Sequence, residues 1–336
     1  MFNASCLHEE PLYVLMINWI TSFLSIPIYG VAFVVLLMKC PRHFEEYRKY
    51  VLIHIVFGCL LDFHMRVIWK VSVPVPWAAL CSSSFAAEYA VITFEIFVVL
   101  LFFTGATAQN LFLKRMEAVH VVNTSLQKIV YLVRKLFYFL GVLLAIFSIL
   151  IYPGLKDQKD YKAVVEYKLG KMPDYVWCDS CFFIQFDSII FLLFYIIAYC
   201  AIMTAVASGL LAAIETIRAL NSKDLRLSAK TAAIQRNFLF SLAVAAFVHI
   251  SLICIPLIGH VIAISTPIHN QYITHLLVAM LQDHGSVSTF TLIVTNKLLR
   301  RATKRLFLIP ENLLRRSEPK VFETKKTSGV HVLTAN

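Results

Sequence analysis

The sequence predicts an all-α membrane protein in which seven transmembrane helices form one bundle, with the N-terminus outside and the C-terminus inside. Two features of the composition indicate a membrane protein. Hydrophobic residues make up 59% of the 336 residues, and charged residues only 15%, whereas a soluble domain has about 25% charged residues. A third observation, the presence of seven long apolar stretches, gives the number of helices.

Each membrane-spanning helix needs about 20 apolar residues to cross roughly 30 Å of hydrocarbon. We place the seven spans near residues 12–38, 50–73, 85–113, 134–153, 187–214, 237–262 and 273–296. The helical domain therefore covers residues 12–296, and its longest loop is 154–186. Residues 1–11 form a short extracellular N-terminus. Residues 297–336 form a cytoplasmic tail.

The distribution of Lys and Arg predicts the orientation, because cytoplasmic loops carry an excess of cations. These cations cluster in alternate connecting segments, which are 39–49, 114–135, 215–236 and the tail. The segments 1–11, 74–84 and 263–272 contain none, and acids equal the five Lys of 154–186. The net charge of +11 therefore reflects the topology, and nucleic acid is not a predicted partner.

Four cysteines fall on the predicted outer side: Cys6, Cys81, Cys178 and Cys181. Disulfides form on this oxidising side of a membrane. A bond from Cys81, just before the third span, to Cys178 or Cys181 would fasten the long loop over the outer end of the bundle. Four cysteines allow three pairings, and the sequence leaves the partner of Cys81 open.

Ionisable residues inside the spans are candidates for ligand binding, because a charge in lipid costs several kcal/mol unless it is paired. The predicted ligand-binding residues are Arg66, Glu88, Glu95, Tyr195, His249 and Asp283. Glu88 and Glu95 are seven residues apart and share a helix face. Arg66 lies at a depth between them. We therefore expect Arg66 to pair with one of these acids, either as a structural contact or within a ligand pocket.

A second group, Asp62, Pro256, His284 and Gly285, is predicted to act as a conformational switch. Asp62 and Asp283 lie at similar depth, so they need a cation, a shared proton or a histidine between them. One hypothesis is a Na⁺ site or a protonation switch. Pro256 removes a backbone hydrogen bond from the sixth span and predicts a kink. Gly285 and the hydroxyl residues after it allow close helix approach.

The inner face is basic, and its predicted contacts with a G protein are Lys114, Arg115, Arg218, Arg236, Lys297 and Arg300. Leucines alternate with cations after residue 297, which predicts a short amphipathic helix on the lipid of the inner leaflet. The eleven histidines form no histidine box, so neither a metal site nor a membrane enzyme is predicted. The seventh span contains no lysine that could bind retinal, and no cofactor is expected.

Short motifs carry a resemblance to a known family. The chain reads Cys40-Pro41-Arg42-His43 after the first span, Leu61-Asp62 in the second, and His284-Gly285-Ser286-Val287-Ser288-Thr289 in the seventh. With the seven-span layout, these motifs resemble the nematode serpentine chemoreceptors of the Str superfamily, class H or the neighbouring class I. The resemblance implies a G-protein-coupled receptor for a small odorant or pheromone. It also implies a place in the plasma membrane, with the sensory cilium as a candidate location.

An alternative function is a seven-span ligand-gated channel or transporter with the N-terminus inside. The cation distribution opposes that orientation. The sequence also shows no inverted repeat and no pair of spans broken by Gly or Pro, which are features of many transporters.

Overall fold

The computed structural model describes residues 11–39, 45–119, 124–185, 187–222, 229–266 and 269–307. Its helices are α1 (Leu12–Val34), α2 (Glu45–Phe63), α3 (Ala90–Val119), α4 (Ser125–Lys156), α5 (Lys159–Leu169), α6 (Ile189–Asn221), α7 (Ala229–Ser265), α8 (Gln271–Thr295) and α9 (Lys297–Leu306). Two π-helical segments, Val35–Lys39 and His64–Trp69, extend α1 and α2. The predicted spans correspond in order to α1, α2, α3, α4, α6, α7 and α8.

Within the described residues, six helices are long and apolar enough to cross a membrane: α1, α2, α3, α4, α6 and α7. The seventh, α8, has 25 residues and spans about 37 Å, so its length is sufficient. Its middle contains Gln282, His284 and Ser286, which lower its hydropathy. All three side chains are buried in the bundle, so they do not face lipid. The fold is therefore the predicted all-α bundle of seven helices.

Several helices continue beyond the predicted spans. The described residues of segments 114–135 and 215–236, which we expected to connect spans, are almost all helical. Thr124 caps the start of α4, because its side chain accepts a hydrogen bond from the Gln127 backbone N–H at 3.1 Å. Hydropathy marks where a helix leaves the lipid, whereas the helix itself ends only at a cap or a break in its hydrogen bonding.

The described part of the outer segment, residues 154–185, is folded against a small sheet. Strands β1 (Val71–Ser72), β2 (Leu80–Ser82) and β3 (Cys181–Phe182) form an antiparallel sheet in the order β1-β2-β3. Cys81 lies opposite Cys181 in this register, and the two form a disulfide. Cys178 precedes β3 and is not the partner of Cys81, although it is itself disulfide-bonded. Cys6 lies outside the described residues.

Buried polar side chains also hold the outer segment in place. Lys162 of α5 is 4% exposed, and its Nζ donates a hydrogen bond to the Cys178 carbonyl at 2.8 Å. Burial lowers the pKa of Lys162 to about 8, and the charge of Asp179 opposes this shift. Gln158 donates to the Phe183 carbonyl and accepts from the Phe183 N–H, both at 2.6 Å. The segment is thus fixed by hydrogen bonds as well as by the disulfide.

The two largest hydrophobic clusters form an outer and an inner layer of the bundle. In the outer layer, the Trp69 ring centroid lies 5.4 Å from that of Phe97, and both belong to one buried cluster. In the inner layer, Met116 and Phe238 are almost completely buried.

Removing the Cys81–Cys181 disulfide is expected to lower the melting temperature of the detergent-solubilised protein. The bonded residues are 100 positions apart, and loss of a native disulfide from a small domain costs about 2–5 kcal/mol. We expect Cys81→Ser, Cys181→Ser and the double variant to show the same decrease. Cys200→Ser, which removes an exposed free thiol, is the control and should leave the melting temperature unchanged. A further decrease in the double variant would contradict the assigned pairing.

Candidate functional site

A cavity of about 450 Å³ lies inside the bundle, with walls from α2, α3, α4, α6, α7 and α8. Its volume is in the range of small-molecule sites. The wall is mostly apolar, and its polar side chains are His54, Gln109, Tyr195, Tyr199, His249, Ser288 and Thr289. Among the described residues that line it, none is Lys, Arg, Asp or Glu. The cavity therefore suits a small apolar molecule.

Three histidines form a row from the cavity wall into the core. The ring centroids of His54 and His249 are 5.6 Å apart, and those of His249 and His284 are 4.8 Å apart. His54 Nδ1 lies 3.1 Å from Thr107 Oγ1, and His284 Nδ1 lies 3.1 Å from Asp62 Oδ1. The middle ring is buried, and neither of its nitrogens has a hydrogen-bond partner among the described residues. The row connects the cavity with Asp62.

Asp62 is almost completely buried and joins α1, α2 and α8. Its Oδ2 accepts hydrogen bonds from Tyr29 Oη at 2.7 Å and from the Ser286 N–H at 2.8 Å. Its Oδ1 accepts from the Gly285 N–H at 3.1 Å and faces His284 at the same distance. Both oxygens therefore have two partners from the protein.

Gly285 allows α8 to approach α2 closely. A Cβ atom at this position would lie 2.5 Å from Tyr29 Oη, 2.8 Å from the Gly58 carbonyl oxygen and 2.9 Å from Asp62 Oδ1. These distances are shorter than a side-chain carbon tolerates, so a larger residue would push the helices apart. The close helix approach predicted for the seventh span thus lies where Gly285 packs against Tyr29, Gly58 and Asp62.

Arg66 pairs with Asp283 of α8. Its Nη1 donates to Ser25 Oγ at 2.8 Å, and its Nε donates to the Gln282 carbonyl at 3.2 Å. Asp62 and Asp283 therefore have separate partners, and neither needs a proton or cation shared with the other. Within the described residues, no cluster of three metal-ligating side chains is present.

The expectation that Arg66 pairs with Glu88 or Glu95 is wrong. Glu88 is exposed in the 3₁₀ turn Ala87–Tyr89. Glu95 is half-buried near Ser148 of α4, and its Oε1 has no hydrogen-bond partner among the described residues. The positions of these residues along their helices predict similar depths in the membrane. Depth alone does not show which way a side chain points around its helix.

The structure thus divides the six predicted ligand-binding residues. Tyr195 and His249 line the cavity, whereas Arg66, Glu88, Glu95 and Asp283 do not. Sequence reasoning missed His54 as a site residue, although an ionisable residue within a span is itself a signal of function. Pro256 lies within α7 and lines a smaller cavity of about 80 Å³ nearer the outer sheet.

At the inner end of the bundle, Arg115 is buried and does not form part of an open basic surface. Its guanidinium carbon lies 3.5 Å from the ring centroid of Tyr47 and 3.7 Å from that of Phe238. Its Nη1 donates to Gln235 Oε1 at 2.8 Å. Arg115 thus links α3 to α2 and α7, and its predicted exposure to a G protein is wrong because two aromatic rings enclose it.

The other predicted inner cations lie nearer the surface. Lys114 pairs with Glu117 on the same helix at 2.6 Å, while Arg218, Arg236, Lys297 and Arg300 are exposed. Arg236 donates to Asn221 Oδ1 at 2.8 Å and connects the inner ends of α6 and α7. Helix α9 buries Leu299 and Ala302 and exposes its cations, as an amphipathic helix does.

A family model described as serpentine type 7TM GPCR chemoreceptor Srh matches residues 9–309. The matched region contains all the helices from α1 to α9. No curated protein and no solved structure matches the chain.

Gly285→Ala is expected to destabilise the bundle, because the added methyl group meets Tyr29, Gly58 and Asp62. Overpacking of this kind costs about 1–3 kcal/mol, and thermal unfolding of the purified protein measures the loss. Gly30→Ala is the matched control, since a Cβ there meets no atom within 4 Å. Equal melting temperatures for the two variants would show that the α2–α8 contact is not tight.

Proposed function

Because the chain belongs to the Srh family of serpentine-type seven-transmembrane G-protein-coupled chemoreceptors, we propose that it binds a small extracellular ligand in the central cavity and activates a heterotrimeric G protein. Of the two classes that the motifs resemble, class H is the one whose model matches. The family is one of chemoreceptors and not of enzymes. The observation that carries the ligand proposal is the apolar cavity of about 450 Å³ inside the bundle.

The route to this cavity begins at the outer sheet. The smaller cavity below the sheet is lined by Leu80 of β2 and shares Phe94, Phe97, Tyr195 and Leu257 with the central cavity. These shared side chains separate the two spaces. A ligand arriving from outside therefore reaches the central cavity by displacing them.

The position of the disulfide supports the orientation that this route requires. Cys81 and Cys181 lie at the same end of the bundle as the start of α1, and disulfides form on the oxidising side of a membrane. This placement favours an outside N-terminus and opposes the inverted topology of the channel alternative. The proposed location is the plasma membrane, with the sensory cilium as the finer candidate.

The proposed activation step is a movement of the inner part of α7. Pro256 lacks a backbone N–H, so α7 is weakened there and can bend. The inner end of α7 is held by the contacts of Phe238 and Gln235 with Arg115. When α7 moves away, these contacts break and the inner face opens for a G protein. The ligand favours this state only to the extent that it binds it more tightly.

Exposed cations surround the proposed opening. Arg218, Arg236, Lys297 and Arg300 lie at the inner ends of α6 and α7 and at the start of α9. We assign them to contacts with the G protein, while the amphipathic α9 lies on the anionic inner leaflet. In this arrangement Arg115 becomes accessible only after α7 has moved.

A substitution that fills the central cavity tests whether the ligand binds there. We expect a screen of small apolar compounds in cells that express the receptor with a promiscuous G protein to give a G-protein response. Ala198→Trp, which projects an indole into the cavity, should abolish that response. Val142→Trp is the control, because Val142 is 60% exposed on α4 and lies away from the cavity. A response that survives Ala198→Trp, or an ion conductance that needs no G protein, would contradict the proposal.

Arg115→Met is expected to raise the ligand-independent activity. The variant removes the cation–π contacts with Tyr47 and Phe238 and the hydrogen bond to Gln235. A net loss of about 1–2 kcal/mol in the closed state is enough to shift a two-state equilibrium by about five- to thirtyfold. Energy transfer between receptor and G protein in unstimulated cells measures this change. Lys128→Met is the control, since Lys128 is an exposed cation on α4 and is not among the predicted contacts with the G protein. Unchanged basal activity in Arg115→Met would rule out a restraining role for Arg115.

A further inference from the structure

His249 is a buried polar side chain that faces the cavity without a partner. It is 6% exposed, and neither Nδ1 nor Nε2 has a hydrogen-bond partner among the described residues. A neutral imidazole offers one donor and one acceptor, and buried polar atoms in folded proteins are nearly always hydrogen-bonded. The other two histidines of the row differ, because His54 meets Thr107 and His284 meets Asp62. A molecule in the cavity is therefore the natural partner of His249. Gln109, whose amide is also buried and unpartnered among the described residues, is a second polar side chain on the same wall.

The remainder of the wall limits the charge of that molecule. No Lys, Arg, Asp or Glu is among the described lining residues, so a carboxylate or an ammonium ion would have no charged partner. Moving an ion into such a site is unfavourable, because its lost hydration is not replaced. An apolar body, by contrast, meets phenylalanine, leucine and alanine side chains on every side.

We infer that the ligand is a neutral, largely apolar molecule that carries a hydroxyl or carbonyl group, and that His249 determines specificity by hydrogen-bonding this group. The inference rests on the proposed function, since it names the ligand class for the same cavity. A ligand bound to His249 would also affect a residue outside the cavity. The His249 ring meets the edge of the His284 ring at 4.8 Å, so a ligand that fixes His249 also orients the residue beside Asp62.

The test measures how ten-carbon compounds displace the fluorescent probe N-phenyl-1-naphthylamine from the purified receptor in detergent. The compounds are decane, 1-decanol, 2-decanone, decanoate and decylammonium. One hydrogen bond should make 1-decanol and 2-decanone bind about three- to tenfold more tightly than decane. Decanoate and decylammonium should bind more weakly than the two neutral polar compounds.

His249→Phe keeps the size of the ring and removes both nitrogens. It should reduce the ratio of decane to decanol dissociation constants to about one and leave decane binding unchanged. His260→Phe is the matched control, because His260 is another imidazole with an unpaired Nε2 among the described residues, but it lines the smaller cavity. The ratio should stay high in this control. If His249→Phe fails to fold, His249→Leu takes its place, since leucine also lacks both nitrogens and should also reduce the ratio to about one.

The possible failures are distinguishable. If the probe binds and Ala198→Trp removes it, but decane and 1-decanol bind equally well, the cavity stands and the assignment of His249 is overturned. Tightest binding by decanoate would overturn the neutral ligand class. If the probe shows no saturable binding that Ala198→Trp removes, the cavity is not a ligand site, and both proposals are overturned.

Discussion

The bundle depends on one buried carboxylate. Asp62 lies in an interior where an isolated charge costs several kcal/mol, yet both of its oxygens are hydrogen-bonded by groups from α1 and α8. The N–H groups of Gly285 and Ser286 ordinarily bond to the carbonyls of residues 281 and 282 in the same helix. Those two carbonyls also accept hydrogen bonds, from His284 and Arg66 respectively. The polar backbone of one turn of α8 is thus connected to α1 and α2.

This connection explains the polar residues in the middle of α8. The residues that lower its hydropathy are the ones that meet Asp62 and Arg66, and they are placed against protein instead of lipid. The sequence motif His284-Gly285-Ser286 has a separate physical reason at each position. His284 faces the carboxylate, Gly285 leaves room for Tyr29 and Gly58, and Ser286 presents its N–H.

The number and order of the helices could be predicted from the sequence, because membrane burial depends mainly on hydropathy along the chain. Side-chain partners could not, since depth is only one coordinate and direction around the helix is the other. Glu95 illustrates this: its depth matched Arg66, but it points to Ser148 of α4. Arg115 illustrates a second limit, because a cation near the inner surface looks exposed until its aromatic neighbours are known. For the disulfide, the register of β2 and β3 selects Cys181, and this register is a long-range property that cysteine spacing does not encode.

The placement of residues along α7 relates the cavity to the inner contact. His249 faces the cavity, and Phe238 covers Arg115 eleven residues earlier, about 16 Å away along the helix axis. Pro256 lies beyond His249 toward the outer end, so both contact points are on the same side of the proposed hinge. A helical segment without a further proline between them moves as one body, and a displacement at His249 therefore also displaces Phe238. A ligand bond worth about 1 kcal/mol shifts such an equilibrium about fivefold. A large response consequently requires that the apolar part of the ligand also binds the open state better, so the size of the ligand and its polar group act together.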